Sequence, residues 1–201
     1  MFQLTHKQLL ELKFWIEEEA ADRYISELCK MPLYCSQFGR RFVTSAHNSV
    51  LEIGTGPAWG LLPHMNADIK YGCDPLYPVY EAAGLLRGRN GILRVDEPFE
   101  AWETNLTFDA IVTVNALDHG EMGFYLLPKI WRMLKPGGRF YCHVHLRPDD
   151  MLNLVHDHSL TESQLDLHLR YTNLVQEHRE ILPNDIDGKF CPALVGIWRK
   201  P

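Results

Sequence analysis

The clearest chemical pattern lies in one run, Val50-Leu51-Glu52-Ile53-Gly54-Thr55-Gly56-Pro57-Ala58-Trp59-Gly60. A buried-type strand ends in two glycines at i and i+2, where the backbone must turn sharply and a ligand can approach without a Cβ in the way. Gly-x-Gly alone would also fit a plain strand-to-helix turn. Two carboxylates argue for more. Glu52 sits inside the apolar strand, where an acid is costly unless it has a partner. Asp74 lies 22 residues further on, ending the next strand-like run Tyr71-Gly72-Cys73-Asp74. There it is placed to accept hydrogen bonds from a ribose diol across the adjacent strand tip.

Polar residues gather again at the ends of two later runs: Asn115, Asp118 and His119, then His145 and Arg147. Side chains of this kind at strand tips can orient a reactant or take its proton. His119 and His145 are the catalytic candidates, His145 as a general base. The competing role is a hydrogen-bonded core histidine, since His143 and His145 share one face of a strand. His143, His145, His156 and His158 raise the question of a metal, but no Cys or Glu falls at a familiar ligand spacing and none is expected. Trp59 is expected to pack on the sheet rather than line a pocket, and Arg147, Arg40 and Arg41 are expected on solvated surface.

These residues need elements to hold them. Strands are predicted at Ser49–Ile53, Lys70–Cys73, Gly91–Val95, Phe108–Asn115, Arg139–Leu146, Asn173–Ile181 and Ala193–Arg199. Helical or loop stretches fall between the first five, at Trp59–Met65, Val79–Leu86, Phe99–Trp102 and Gly123–Leu134. Alternation of this kind implies right-handed crossovers and a parallel sheet covered on both faces. The last two strands are joined only by the turn-rich Leu182–Pro192, too short for a crossover helix, so they form an antiparallel hairpin at one edge. Thr161 and Gln164 have capping-box spacing before a helix at Glu162–Leu169, as do Thr5 and Gln8 before an N-terminal helix, and Met31-Pro32 should close that helix or its neighbour. Residues 1–42 precede the first strand as a helical lid or cap on a single domain.

With these motifs in order, the sequence resembles a class I S-adenosylmethionine-dependent methyltransferase of the ubiquinone-methyltransferase-like (type 11) group. The family's first motif, acidic-x-Gly-x-Gly-x-Gly, is matched by Glu52, Gly54 and Gly56, with Ala58 in place of the third glycine. Asp74 matches the acidic residue ending the second strand, and Asp96 or Glu97 the polar tip of the third. Phe108-Asp109 opens the fourth motif, and Leu134-Lys135-Pro136-Gly137-Gly138 is the turn before the fifth strand. The similarity runs from about Val43 to Val144. It implies a Rossmann-like α/β fold, a seven-stranded, mostly parallel sheet in the order 3-2-1-4-5-7-6 with an antiparallel last strand. It further implies S-adenosyl-L-methionine as cofactor. Gly54 and Gly56, with Thr55, would approach its methionine part, Glu52 would lie near its amino group, Asp74 and Pro75 would serve the ribose, Asp96 or Glu97 the adenine, and Asn115 would complete the cofactor-binding set.

Composition narrows the acceptor. The 201 residues carry 20 Lys plus Arg against 26 Asp plus Glu, a net charge of −6, which argues against a protein held to nucleic acid by phosphate neutralisation. The fourth strand ends Asn-Ala-Leu-Asp, without the Pro-Pro-aromatic tip of base amino-methyltransferases, and no Pro-Cys dipeptide offers a cytosine nucleophile. A small-molecule acceptor is expected, in a cytoplasmic protein without secretion signal or membrane span. Five cysteines without a CxxC pair read as reduced thiols, mostly buried. Two other functions compete: a non-catalytic cofactor-binding scaffold, and a nicotinamide-dependent oxidoreductase. The latter's Gly-x-Gly-x-x-Gly is broken because the third glycine, Gly60, arrives one residue late.

Overall fold

A computed structural model describes residues 5–16, 20–86, 91–119, 123–147, 160–183 and 192–201. The strands are β1 (His47–Ile53), β2 (Ala67–Cys73), β3 (Ile92–Val95), β4 (Phe108–Val114), β5 (Leu134–His145), β6 (Val175–Leu182) and β7 (Ala193–Arg199). They form one sheet in the order β3-β2-β1-β4-β5-β7-β6. The first five run parallel, and β7 is antiparallel to both of its neighbours, β5 and β6. This is the Rossmann-like methyltransferase order expected from the motifs, with the reversed last strand. The turn of the β6–β7 hairpin lies outside the described residues, as do His156 and His158.

Alternation along the strands divides the core. Leu51 and Ile53 of β1, with Ile111, Phe140, Cys142 and Val144, face a cluster closed by α5 (Leu127–Met133) and α6 (Glu162–Arg170). Val50, Ala110, Val112, Tyr141 and Val195 face the opposite cluster. There the cover comes from α4 (Tyr77–Ala82) and from two N-terminal helices, α2 (Ala20–Gln37), which supplies Met31, Tyr34 and Cys35, and α3 (Arg40–Thr44), which supplies Phe42, with Phe38 in the turn between them. The rings of Phe38 and Phe42 meet Tyr141 of β5 edge-on, at 5.7 and 4.9 Å. Both capping boxes form: Gln8 N–H donates to Thr5 Oγ1 at the head of α1 (His6–Ile16), and Thr161 caps α6.

One local expectation gives way, and two stretches that could have been helix or loop are turns. Met31-Pro32 closes neither the first helix nor its neighbour: α2 continues through Pro32 to Gln37. The lost hydrogen bond would have gone to the carbonyl of exposed Leu28, which water can satisfy, while burial of Tyr34, Cys35 and Phe38 rewards the continued helix. No regular helix follows the glycine loop, only turns and a 3₁₀ segment at Leu62–His64, because Pro57, Gly60 and Pro63 interrupt it. Phe99–Trp102 is likewise a turn. Of the cysteines described, Cys35, Cys73 and Cys142 are buried and Cys29 is exposed; all are free thiols.

The Phe-Asp and Lys-Pro-Gly-Gly motifs fasten the lower end of the sheet. Asp109 accepts from Ser49 N–H at 2.8 Å and from Lys135 Nζ at 3.0 Å, tying β4 to β1 and β5. A Cβ on Gly138 would lie 2.8 Å from the Lys135 carbonyl oxygen and 3.1 Å from those of Phe108 and Asp109. These are backbone atoms of a paired ladder and cannot step aside. Gly138→Ala is therefore expected to lower the unfolding free energy by about 2 kcal/mol, read as a shifted urea midpoint at constant slope.

Candidate active site

The loop after β1 is held from below by Glu52. Its side chain is 1% exposed. The Leu61 N–H donates to both carboxylate oxygens, at 3.0 and 2.8 Å, and the Leu62 N–H donates to Oε2 at 3.0 Å. Burial pushes this carboxyl up to about 8, against the backbone donors, which favour the ionised form. Gly60 closes the arrangement. With φ +52, its missing Cβ would stand 2.1 Å from Glu52 Oε1, so only glycine lets the carboxylate reach the next two N–H groups. Trp59, also left-handed at φ 64, is buried with its ring 5.0 Å from Tyr77. It packs in the core, as its place beside the loop suggested. Glu52 thus meets the loop backbone, a use that its place in the motif did not reveal.

From the other side Asp74 ties the same loop to β2. Its Oδ2 accepts from Gly56 N–H at 2.8 Å and its Oδ1 from Leu76 N–H at 2.9 Å. The carboxylate is 6% exposed, and burial pushes it up to about 6, again against its backbone donors. Thr55 is buried and shares a short hydrogen bond with the Tyr77 hydroxyl. Pro75 follows Asp74 in the turn leading to α4. At the β3 tip, Arg94 grips Asp96 with two bonds, at 2.9 and 2.8 Å, while Glu97 is exposed.

The structure fits a nucleoside with an attached amino acid. Gly54 and Gly56 are both left-handed, at φ 71 and 59. A Cβ on Gly56 would meet only Trp15, at 3.6 Å, so this face of the loop is bare backbone beneath one side chain of α1. Asp74 uses one acceptor position on each oxygen and retains others for a ribose diol.

The β4 and β5 tips sit beside this loop. Asn115 is left-handed at φ 49, an uncommon conformation that tends to mark functional positions. Its N–H donates to the His143 carbonyl at 2.9 Å. Its side chain accepts from His143 Nδ1 at 2.8 Å and donates to the Tyr34 hydroxyl at 3.0 Å. His143 and His145 do share a face, with ring centroids 5.9 Å apart. Asp118 is fully buried, its Oδ2 3.8 Å from His145 Nδ1 and 3.5 Å from Arg147 Nε. Arg147 is thus drawn inward, not left on the open surface. His119 Nδ1 lies 3.3 Å from Glu11 of α1, and Glu11 also accepts from the Trp15 indole N–H at 2.8 Å. Trp15, Glu11 and Tyr34 were not legible as site residues. They come from helices far away in sequence, and nothing in their spacing separates them from ordinary amphipathic positions. Among the described residues, no group of three or more His, Cys, Asp or Glu is arranged to hold a metal ion.

Two stability effects follow from the Glu52 clamp. Gly60→Ala should cost about 3 kcal/mol, because the new Cβ evicts a buried carboxylate. Because the folded-state pKa of Glu52 lies above the unfolded value, the folded state binds the extra proton between pH 4.5 and about 8. The stability contributed by this group is therefore full below pH 4.5 and falls as pH rises towards 8. The unfolding free energy of the wild type minus that of Glu52→Gln should decline across this window in denaturation series at fixed salt.

The family model described as a methyltransferase domain matches residues 24–184. No curated protein matches the chain. Among solved structures, the N-methyltransferase NodS from Bradyrhizobium japonicum WM9, in complex with S-adenosyl-L-homocysteine, superposes with a TM-score of 0.64 at 18% identity, covering 96% of this chain and 97% of that one. A chain from the complex between the Haloferax volcanii Trm112 methyltransferase activator and the putative methyltransferase gives 0.70 at 16% identity, covering 95% and 98%. Coclaurine N-methyltransferase, bound to N-methylheliamine and S-adenosyl-homocysteine, gives 0.60 at 13%, covering 87% and 73%. At these identities the neighbours speak to fold. The family match over most of the sequence goes further, and the chain belongs to the class I methyltransferases that draw their methyl group from S-adenosylmethionine.

Proposed function

We propose that the chain methylates a small molecule, at a hydroxyl or an amine, as a cytoplasmic enzyme of the ubiquinone-methyltransferase-like group that does not act on nucleic acid. The observation carrying this reading is the placement of Asn115, His119, His143 and His145 at the β4 and β5 tips, beside a glycine loop that Asp74 fastens from β2. Nothing in the net charge of −6 favours a polyanion. No helix among the described residues is long and apolar enough to cross a membrane. NodS and coclaurine N-methyltransferase are named for transfer to nitrogen, but they share only the fold with this chain. The choice of acceptor atom rests on this chain's own residues.

In this reading Gly54, Thr55 and Gly56 border the methionine part of the cofactor. Asp74 and Pro75 take the ribose, Asp96 and Glu97 border the adenine, and Asn115 closes the far side. Glu52 serves the site through the loop that it clamps. The bound cofactor supplies an electrophilic methyl on a sulfonium. The protein's task is to align an acceptor with it and to receive a proton. His145 is the general base, and His119 contacts the acceptor from the β4 tip. The N-terminal segment divides its labour. α2 and α3 cover the sheet, and α1 acts as a lid: Trp15 lies over Gly56, and Glu11 reaches across to His119.

Calorimetry tests the reading directly. S-adenosylhomocysteine should bind and NADH should not; tight NADH binding with none of S-adenosylhomocysteine would overturn it. Asp74→Ala should weaken S-adenosylhomocysteine binding by about 1–3 kcal/mol. Asp74 accepts ribose hydroxyls best when ionised, so affinity should rise with pH through about 6, and Asp74→Asn should remove that step. Trp15→Ala should speed dissociation of S-adenosylhomocysteine in stopped-flow displacement, by about tenfold for a loss of 1.4 kcal/mol. With methyl-labelled S-adenosylmethionine and a cell extract, label should enter the low-mass fraction; label found only in nucleic acid or protein would refute a small-molecule acceptor.

A further inference from the structure

Tyr77 is the buried polar side chain beside the glycine loop that the methyl-transfer reading leaves without a task. It opens α4, three residues after Asp74, and is fully buried. Its N–H donates to the Asp74 carbonyl at 3.4 Å, and its ring lies 5.0 Å from that of Trp59 and 5.3 Å from the Arg94 guanidinium. The hydroxyl reaches the loop across β2 at Gly72. A Cβ there would overlap the phenol oxygen, so only glycine lets it through to its hydrogen-bond partner, Thr55 Oγ1. Donor directions follow from counting protons. Thr55 has one O–H, and the Gly56 carbonyl, 3.2 Å away, can only accept. Thr55 therefore donates to Gly56, and the Tyr77 O–H donates to Thr55. Burial pushes the phenol up, so it keeps that proton. Both polar groups of Gly56 are thus held by the turn that begins at Asp74. The Asp74 carboxylate takes the N–H at 2.8 Å, and Tyr77 holds the carbonyl by way of Thr55. What remains of Gly56 is its Cα face, where a side chain would meet only Trp15.

We propose that Tyr77 is a positioning residue for the cofactor: through Thr55 it fixes the Gly56 peptide so that the bare Cα face, and not the carbonyl oxygen, is turned to the methionine part. The proposal rests on the placement of the cofactor along this loop given above. Gly56 is left-handed, at φ 59, in a loop whose flanking glycine is left-handed too. Glycine backbone has many such states open to it, and nothing in the residue itself chooses among them. A peptide turned the other way would aim its carbonyl oxygen at a ligand that carries a carboxylate of its own. Fixing the peptide before the ligand arrives removes an ordering cost that binding would otherwise bear. The competing role for Tyr77 is packing alone, with its ring between β2 and the loop, and the hydroxyl adds nothing to that.

The two roles separate when calorimetric titration with S-adenosylhomocysteine and urea unfolding are run on the same proteins. Tyr77→Phe keeps the ring and leaves Thr55 its acceptor at Gly56, so the variant folds. It should bind S-adenosylhomocysteine about five- to tenfold more weakly, the worth of one neutral hydrogen bond. Unchanged affinity in this folded variant would assign Tyr77 to packing and overturn the proposal by itself. Thr55→Val strands the phenol in the core and should lower both the affinity and the urea midpoint. Combining it with Tyr77→Phe removes the stranded group. The midpoint of the double variant should then rise above that of Thr55→Val, while its affinity stays as low. Affinity that recovers together with the midpoint would make stability, not the setting of Gly56, what the hydroxyl supplies, and would overturn the proposal equally. Failure of the wild type to bind S-adenosylhomocysteine would refute the cofactor reading itself, and the proposal with it.

Discussion

The cofactor end of this molecule depends on a buried carboxylate bonded to backbone. In a usual strand-loop-helix unit, the N–H groups after a glycine loop enter a helix and are satisfied by its turns. Here Pro57, Gly60 and Pro63 prevent that helix, and the N–H groups of Leu61 and Leu62 need another acceptor. Glu52 supplies it from within β1, at hydrogen-bond distances of 2.8 to 3.0 Å. The clamp also explains how an acid is tolerated in an apolar strand: backbone donors meet both of its oxygens, and burial lets the folded state keep the proton up to about pH 8. Remove either side and a buried polar group is left without its partner, the costlier half of any hydrogen-bond exchange.

The missing helix has a second consequence, on the sheet. The face lined by Val50, Ala110, Val112 and Tyr141 still has to be covered, and residues from the N-terminal segment do it. Once α2 lies against β5, Tyr34 arrives over His143, with ring centroids 4.8 Å apart, and its hydroxyl accepts from Asn115. A segment that resembles an appendage in sequence is therefore part of the core and, through one tyrosine, bonded to the β4 tip. α1 carries the arrangement across the loop, with Glu11 between Trp15 and His119.

The chemistry asked of the site suits this construction. A sulfonium methyl is already reactive, so what remains for the protein is orientation and one proton. Orientation needs side chains with few rotamers open to them. Asn115 is fixed by its left-handed backbone and by bonds to both His143 and Tyr34, while His145 and Arg147 stand on a strand end pinned by backbone pairing. The two ends of the site are held by different means, carboxylates on backbone at the loop and side chains on side chains at the β4 and β5 tips.

What the sequence determined by itself was everything whose physics is local. Strand positions, the antiparallel last pair and the capping boxes at Thr5 and Thr161 follow from side-chain period, short connections and neighbours three residues apart. Asp74 could be placed at its strand tip for the same reason. Tertiary structure decided the rest, because it depends on which surfaces meet. Pro32 stays in a helix because Tyr34, Cys35 and Phe38 gain a core by it. The partners of Glu52, the N–H groups of Leu61 and Leu62, are set by how the turn folds back on β1. Tyr34 reaches Asn115 across 81 residues of chain, and Asp118 meets His145 only because β4 and β5 pair side by side. Such contacts leave no period and no motif; they exist only after the sheet and its covering helices have packed.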